Sequence, residues 1–331
     1  MQAAGAMQAV VQKGYGSVDV LSLAAIPRPK AGPGEVVVQV AGAGIDRGTW
    51  HLMTGRPYLM RLMGFGFRAP KQPVPGIDLS GTVVEVGEGV TRFKLGDQVF
   101  GIGQGTFAEY ARAQVGKLSL VPSNVALSDA ALLGVSALTA LQALSDVGGL
   151  RDGERVLVIG ASGGFGAYAV QFAKALGAHV TGVCSAGKMD LVRGLGADVV
   201  LDYARDDFAD GRAKYDLVLD GGGGTPLRRL RCTLTETGRL VFVGNEHASD
   251  WTAGFGRPLW AMLTARFTRQ RYVMMMAKEE SSTLDRIAKL CQEGRVRPVI
   301  DRRIGLGQVT QAMADLESGK IRGKVLVQPT Q

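Results

Sequence analysis

A chain of 331 residues, 46% hydrophobic and 21% charged, carries apolar material for two buried cores and reads as a soluble globular protein. No apolar run reaches the roughly twenty residues that span a bilayer, since Ala130 to Leu144 is short and interrupted by Ser136, Thr139 and Gln142. The net charge of +8 falls in separate clusters, Arg56, Arg61, Arg68 and Lys71 in one and Arg257, Arg266, Arg269 and Arg271 in another; with no continuous basic tract and no recognised binding fold, it argues against a nucleic-acid partner and for a surface that favours anionic cofactors.

The opening MQAAGAMQAV lacks the basic start and apolar core of a signal peptide, which predicts a cytoplasmic protein. Cys184, Cys232 and Cys291 form no CxxC pair and read as free thiols in a reducing compartment. Met7 to Ser22 reads as two short strands around the glycine-punctuated KGYGSVD. After Pro27, Pro29 and Pro33, Glu35 to Ala43 is a strand, and GIDRGTWHLMTG is a loop with a short helix. Met60, Met63, Phe65 and Phe67 then alternate with basic residues, a candidate substrate wall together with Trp260 and Met262, with ordinary core packing as the competing account. Three short strands come next, at Gly81 to Gly87, Asp97 to Gly101 and Phe107 to Ala113, as in a β-rich, partly closed domain. Ser128 is expected to cap one helix, and Ala137 to Val147 to make another.

From Glu154 the pattern changes to strands alternating with helices: VLVIG, HVTGVC, DVVLD, YDLVLD, GRLVFVG and RYVMMM. Six such strands predict a doubly wound parallel sheet. Between the first two lies a turn from Ala161 through Ser162, Gly163, Gly164 and Phe165 to Gly166, in dinucleotide-fingerprint spacing with alanine in place of the first glycine. A small residue suits the tight turn, Gly163 admits a pyrophosphate, and Gly166 lets the helix pack close to the strand. After Ser281 come an amphipathic helix to about Glu293, a strand near Val299 to Ile304, a helix to about Glu317 and a strand at Lys324 to Gln328. The expected domains are 1–123, β-rich and catalytic; 124–296, cofactor-binding; and 297–331, a return to the first.

At the end of the second strand, where an NAD-specific fold usually carries an acid, stand Val183, Cys184 and Ser185. Ser185, Lys188 and Tyr203 are available instead, a cation and two hydroxyls that suit a phosphate dianion. The plainer account is that Lys188 solvates a helix start and Tyr203 packs on the sheet. Strand-end topology adds Gly222, Gly223, Val243, Gly244 and Asn245 as cofactor contacts, or as simple turns.

The segments EVVVQVAGAGID, PGIDLSGTVVEVG, GDQVFG, GTFAEYA, GASGGFG, LGADVVLDY, GRLVFVG, RPVIDRR and GKVLV, in this order and spacing, resemble the medium-chain dehydrogenase/reductase superfamily and, within it, the zinc-free quinone-oxidoreductase-like branch. The resemblance covers nearly the whole chain and implies a Rossmann domain inserted into a β-rich, GroES-like catalytic domain, α/β overall. Zinc alcohol dehydrogenases carry a cysteine ligand where this chain has Asp46 and a histidine ligand where it has Ile77; Asp78 takes the following glutamate position, and the four-cysteine lobe is missing. No metal is therefore expected, because a tetrahedral zinc needs three good protein ligands. In the quinone-reductase branch the serine, lysine and tyrosine matching Ser185, Lys188 and Tyr203 grip the 2′-phosphate of NADPH, the expected cofactor. By the same resemblance Thr139 lies near the nicotinamide, or else is a helical core residue, and Lys324 recurs in the family ending.

For catalysis the candidates are Asp46, Thr49 and His51 in DRGTWH. Thr49 could bond a carbonyl, and His51, matching a histidine that relays protons in some zinc alcohol dehydrogenases, titrates near neutral pH when unperturbed. His247 is a lesser candidate, and a half-buried surface histidine is the ordinary alternative. The expected reaction is NADPH-dependent, zinc-independent hydride transfer to a small apolar quinone or other α,β-unsaturated carbonyl compound; the alternatives are a zinc-free alcohol/aldehyde oxidoreductase and a non-catalytic NADPH-binding protein. Tyr272 to Met276 would end the sheet and, by the resemblance, pair across a homodimer.

Overall fold

Residues 5–58, 61, 66–244, 261 and 268–330 are described here, in a computed structural model. Most of the expected apolar wall (Met60, Met63, Phe65, Trp260 and Met262), with Asn245 and His247, lies outside the described residues. The chain divides into two compact units, Met1–Leu138 with Glu279–Gln331, and Thr139–Lys278.

In chain order the strands are β1 (Ala6–Gln12), β2 (Leu21–Pro27), β3 (Glu35–Gly44), β4 (Asp78–Val86), β5 (Gln98–Ile102), β6 (Tyr110–Gln114), β7 (Leu118–Leu120), β8 (Arg155–Ile159), β9 (His179–Cys184), β10 (Val199–Asp202), β11 (Tyr215–Asp220), β12 (Leu234–Phe242), β13 (Arg271–Met274), β14 (Ile300–Ile304) and β15 (Lys324–Val327). The helices are α1 (Arg47–Thr54), α2 (Val135–Gln142), α3 (Gly164–Ala175), α4 (Met189–Gly194), α5 (Leu227–Thr233), α6 (Ser281–Gln292) and α7 (Val309–Glu317).

In the first unit β1 and β2 form an antiparallel hairpin, and a second sheet runs β14-β15-β3-β4-β5-β7 with β6 paired to β3. The short β7 is absent from the sequence reading because a three-residue strand carries no alternation to detect. The core gathers Val36, Val38 and Val40 of β3 with Leu79, Phe107 and Met313, all buried. Two register shifts break the β3–β4 ladder, at Val37/Val38 and Val40/Gly42, and such bulges bend the pair into the partly closed shape that its glycines suggested. The last β3 residue, Gly44, stands opposite Asp78, the first of β4.

Ser128 proves not to cap a helix: its hydroxyl donates to the Asp129 carboxylate, and the next element is a 3₁₀ turn, Asp129–Leu133. With α2 and a π turn, Ala143–Val147, this makes a helical stretch of 19 residues that is long and apolar enough to cross a membrane. It is 72% buried inside the protein, as a core helix is. The amphipathic α6 buries Leu284, Ile287, Ala288 and Cys291. It joins the first unit, where Arg92 binds the Asp285 carboxylate at 2.9 Å and the Asn124 side chain donates to the Cys291 carbonyl at 2.7 Å. The second compact unit is Thr139–Lys278, so residues 279–296 belong to the first unit.

The second unit is a six-stranded, all-parallel sheet in the order β10-β9-β8-β11-β12-β13. Counted from β8 as the first, the order is 3-2-1-4-5-6, so the topology reverses between β8 and β11. A doubly wound sheet opens its ligand crevice at that switch point, outside the carboxyl ends of the strands.

Candidate functional site

The turn leaving β8 is built from backbone outward. Gly160 adopts φ +83°, and its N–H and that of Ala161 both donate to the Val183 carbonyl, at 3.1 and 2.9 Å. The left-handed residue of the turn is thus Gly160, one place earlier than the alanine assigned to that job, and Ala161 is a fully buried packing residue. At Gly182 of β9 a Cβ would come within 3.1 Å of the Ala161 methyl, so the strand needs glycine there. Gly166 lies against the same turn: a Cβ there would sit 2.1 Å from the Gly160 carbonyl oxygen. Gly163, by contrast, has open space, its nearest neighbour that same oxygen at 3.6 Å. Gly163 also begins α3 and supplies no capping side chain, which leaves the first-turn N–H groups of a 12-residue helix directed at the crevice.

Two more strand ends meet this turn. The Gly221 N–H donates to the Ile159 carbonyl at 3.1 Å, tying β11 to β8. Gly223, at φ +69°, donates its N–H to the buried Asp220 carboxylate at 3.0 Å. Beyond β12, the Val243 and Gly244 N–H groups donate to the Asp220 carbonyl, and a Cβ on Gly244 would lie 3.0 Å from the Gly221 oxygen.

The outer ends of β9 and β10 gather the expected phosphate residues. Cys184 pairs in register with Asp202, and the Tyr203 N–H donates to the Cys184 carbonyl at 3.2 Å, so Ser185 and Tyr203 leave adjacent strands side by side. The Lys188 N–H donates to the Ser185 carbonyl at 2.9 Å, closing the 3₁₀ turn Ala186–Lys188 that follows β9. Tyr203 is 61% exposed, which rules out the alternative that it packs on the sheet. Asp202, buried beside them, spends its carboxylate on the Ala204 N–H at 3.1 Å. Burial first, and then this carboxylate, push the Cys184 thiol up, away from thiolate chemistry. Thr139 stands half-buried in α2.

In the first unit, Asp46 caps α1: its Oδ1 accepts from the Thr49 N–H at 2.7 Å. Among the described residues, neither its buried Oδ2 nor the buried Thr49 hydroxyl has a hydrogen-bond partner. His51 stacks edge-on against Trp50 at 5.2 Å between ring centroids, and its Nδ1 lies 2.8 Å from the Arg56 carbonyl. A carbonyl only accepts, so Nδ1 carries a proton in this contact, and proton exchange by the neutral ring runs through Nε2.

Lys324, also expected among the cofactor contacts, is a buried member of this unit, 1% exposed. Its ammonium bonds the Asp78 carboxylate and donates to the Ser136 hydroxyl at 3.1 Å. The Asp46 Oδ2 stands 4.0 Å away. The other Asp78 oxygen accepts from the Val135 N–H at 2.7 Å, at the start of α2. Burial pushes Asp78 up to about 7, against the opposing pull of Lys324. The signal that sequence reading passed over is a lysine at the head of GKVLV, in a strand that buries every side chain.

These residues do not fit a catalytic zinc. Ile77 has no donor atom, Asp46 gives one oxygen to the α1 cap and turns the other to the Lys324 ammonium at 4.0 Å, and Asp78 is bonded by Lys324 and Val135. Among the described residues no group of three or more His, Cys, Asp and Glu side chains is placed to hold a metal ion.

Known proteins resemble the chain across both units. Residues 32–123 match the alcohol dehydrogenase GroES-like domain, and residues 195–327 match the zinc-binding dehydrogenase family. The chain is 34% identical over 320 residues to the chloroplast envelope quinone oxidoreductase homolog of Arabidopsis thaliana, covering 92% of each. Among solved structures it is similar to the quinone oxidoreductase from Coxiella burnetii, with TM-score 0.84 and 26% identity over 98% of this chain and 99% of that one. It is also similar to a mycobacterial protein solved complexed with NADPH, with TM-score 0.83 and 26% identity over 98% of this chain and 100% of that one.

Proposed function

The chain belongs to the medium-chain dehydrogenase/reductase superfamily, in its quinone-oxidoreductase-like branch, and we propose that it is an NADPH-dependent, zinc-independent reductase of quinones and other α,β-unsaturated carbonyl compounds. It is an oxidoreductase that uses a nicotinamide cofactor. The finer reading rests on one observation above the others: Ser185, Lys188 and Tyr203 leave β9 and β10 together, with no acid at the end of β9. A lysine and two hydroxyls there hold the 2′-phosphate of NADPH, where a carboxylate would repel it. The glycine turn and the start of α3 receive the pyrophosphate.

NADPH supplies the hydride when bound, and the protein binds, orients and handles the proton. Hydride delivery to a quinone or to the β-carbon of an enone leaves negative charge on oxygen. His51 Nε2 serves as the proton-exchanging atom, and the Thr49 hydroxyl as a donor to the acceptor oxygen. Zinc independence is supported by Lys324, whose ammonium already supplies the cation between the Asp46 and Asp78 carboxylates. A homodimer paired along β13 is part of the same reading: β13 is the outermost strand of its sheet, and Met276 just beyond it is 72% exposed. A monomer in sedimentation at micromolar concentration sinks that part.

Lys188→Ala is expected to raise the Michaelis constant for NADPH about tenfold while leaving NADH little changed, the loss of one charged contact. An equal rise for both cofactors removes the phosphate assignment. His51→Ala is expected to lower kcat and to change its dependence on pH; unchanged turnover at every pH ends its role. The function itself is tested by following NADPH oxidation across quinones and enones in parallel with benzyl alcohol oxidation. Turnover of the alcohol alone selects an alcohol dehydrogenase, and tight NADPH binding without turnover of any acceptor selects a binding protein.

A further inference from the structure

We infer that Lys324 is a positioning residue for the catalytic helix: its buried ammonium, seated between Asp78 and Asp46, fixes the Asp46 carboxylate and through it the start of α1, where Thr49 and His51 stand. The inference rests on the proposed assignment of Thr49 and His51 to the reaction.

The seat is built rather than incidental. Lys324 and Asp78 are 1% and 0% exposed in their side chains, and Asp46 6%. Two glycines keep the space open. A Cβ on Gly44 would meet the Asp78 Oδ2 at 2.7 Å and the Lys324 Cε at 3.2 Å, and one on Gly134 would meet the Asp78 Oδ1 at 2.3 Å. At Gly44 space is what requires glycine, and at Gly134 a ψ of −124°, outside the helical and extended regions, adds to the lack of space.

The cluster holds two carboxylates to one ammonium, and Asp78 alone would satisfy the lysine's charge. Asp46 is the surplus anion. Its Oδ2 has no donor among the described residues and is buried, so the ammonium 4.0 Å away is what compensates it. Its Oδ1 meanwhile holds the Thr49 N–H, so the orientation of the Asp46 side chain is also the orientation of the first turn of α1. Lys324 reaches it from a rigid base: β15 pairs with β3 through Leu326 opposite Gly44, and Ile45 donates its N–H to the Val325 carbonyl at 3.1 Å. Asp46 is therefore held at both ends, by the strand that leads into it and by the lysine that faces it.

A purely structural lysine, there only to neutralise Asp78, makes a different prediction from a positioning one. The experiment compares wild type, Lys324→Met, and the double variant Asp78→Asn with Lys324→Met, in which the buried pair is neutral on both sides. Three readouts are taken from the full chain: amide hydrogen exchange over residues 47–54, NADPH binding, and steady-state reduction of 1,4-benzoquinone. In the double variant we expect exchange in α1 to be faster by about tenfold. We expect kcat to be lower by about tenfold or more, with the benzoquinone Michaelis constant and the NADPH dissociation constant each within about twofold of wild type. Wild-type exchange in α1 of the double variant overturns the inference, and so does an unchanged kcat. A wild-type chain that reduces no quinone defeats the functional reading instead, and the exchange comparison still decides what holds α1.

Discussion

Gly166→Ala is expected to weaken NADPH binding by about a hundredfold and to destabilise the protein by about 1–3 kcal/mol. The added carbon would lie 2.1 Å from the Gly160 carbonyl oxygen and 2.7 Å from the Ala161 Cα, both backbone atoms. Neither can yield alone. Gly160 is held in the left-handed region, and its N–H and that of Ala161 are tied to the Val183 carbonyl of the next strand. The helix must therefore back away from the turn, and the N–H groups at its start leave the place where a pyrophosphate lies. Gly163→Ala separates packing from binding, because a Cβ there meets nothing nearer than 3.6 Å. It is expected to keep wild-type stability and to lose affinity only, through the crowded approach to the phosphates. Denaturant midpoints with and without NADPH distinguish the two, and tight NADPH binding by Gly166→Ala would refute the close-packed turn.

Lys324→Met is expected to destabilise by about 3–5 kcal/mol, since it leaves buried carboxylates without their cation. The deficit depends on pH, with a definite sign. Asp78 is pushed from 3.8 up to about 7, so in that window the folded state keeps a proton that the unfolded chain has lost. Its contribution to stability is complete below about pH 4, declines as pH rises, and is gone above about pH 7, a span on the order of 4 kcal/mol. Removing the ammonium, which lowers the Asp78 pKa, carries the proton loss to still higher pH. The gap between wild type and Lys324→Met should therefore be smaller at pH 5, where Asp78 is neutral in both and Asp46 is the carboxylate left without its cation, and widen at pH 8. Urea midpoints at the two pH values test this; a gap of equal size at both would show that the charge on Asp78 is not what the lysine compensates.

The long repeating pattern was legible from residues alone. Each of VLVIG, HVTGVC, YDLVLD and GRLVFVG is a short β-branched run bounded by turn residues, and each is a parallel strand of the second unit. The adjacency of the residues proposed to hold the phosphate was legible for a related reason: Ser185 and Tyr203 each come directly after a strand end, and parallel strands bring such ends together. Helix starts were read less well. Ser128 has the right residue type for a cap, yet the carboxylate beside it takes its hydroxyl, and the first α-helical N–H beyond that turn, at Val135, finds the Asp78 side chain 57 residues earlier in the chain. Local chemistry proposes a cap, and tertiary contacts decide which group supplies it.

Sequence by itself determined the doubly wound sheet and the place of the glycine turn after its first strand, because hydrophobic period and glycine spacing act over a few residues and survive in any context. Tertiary structure alone decided which glycine bends that turn, Gly160 in place of Ala161, since backbone angle is set by the strand on which the turn is hung. It alone also placed Lys324 in a buried cluster with two carboxylates. Asp46, Asp78 and Lys324 are brought together only where β15 pairs with β3 and β3 with β4, and a buried charge takes its meaning from partners the chain supplies hundreds of residues away.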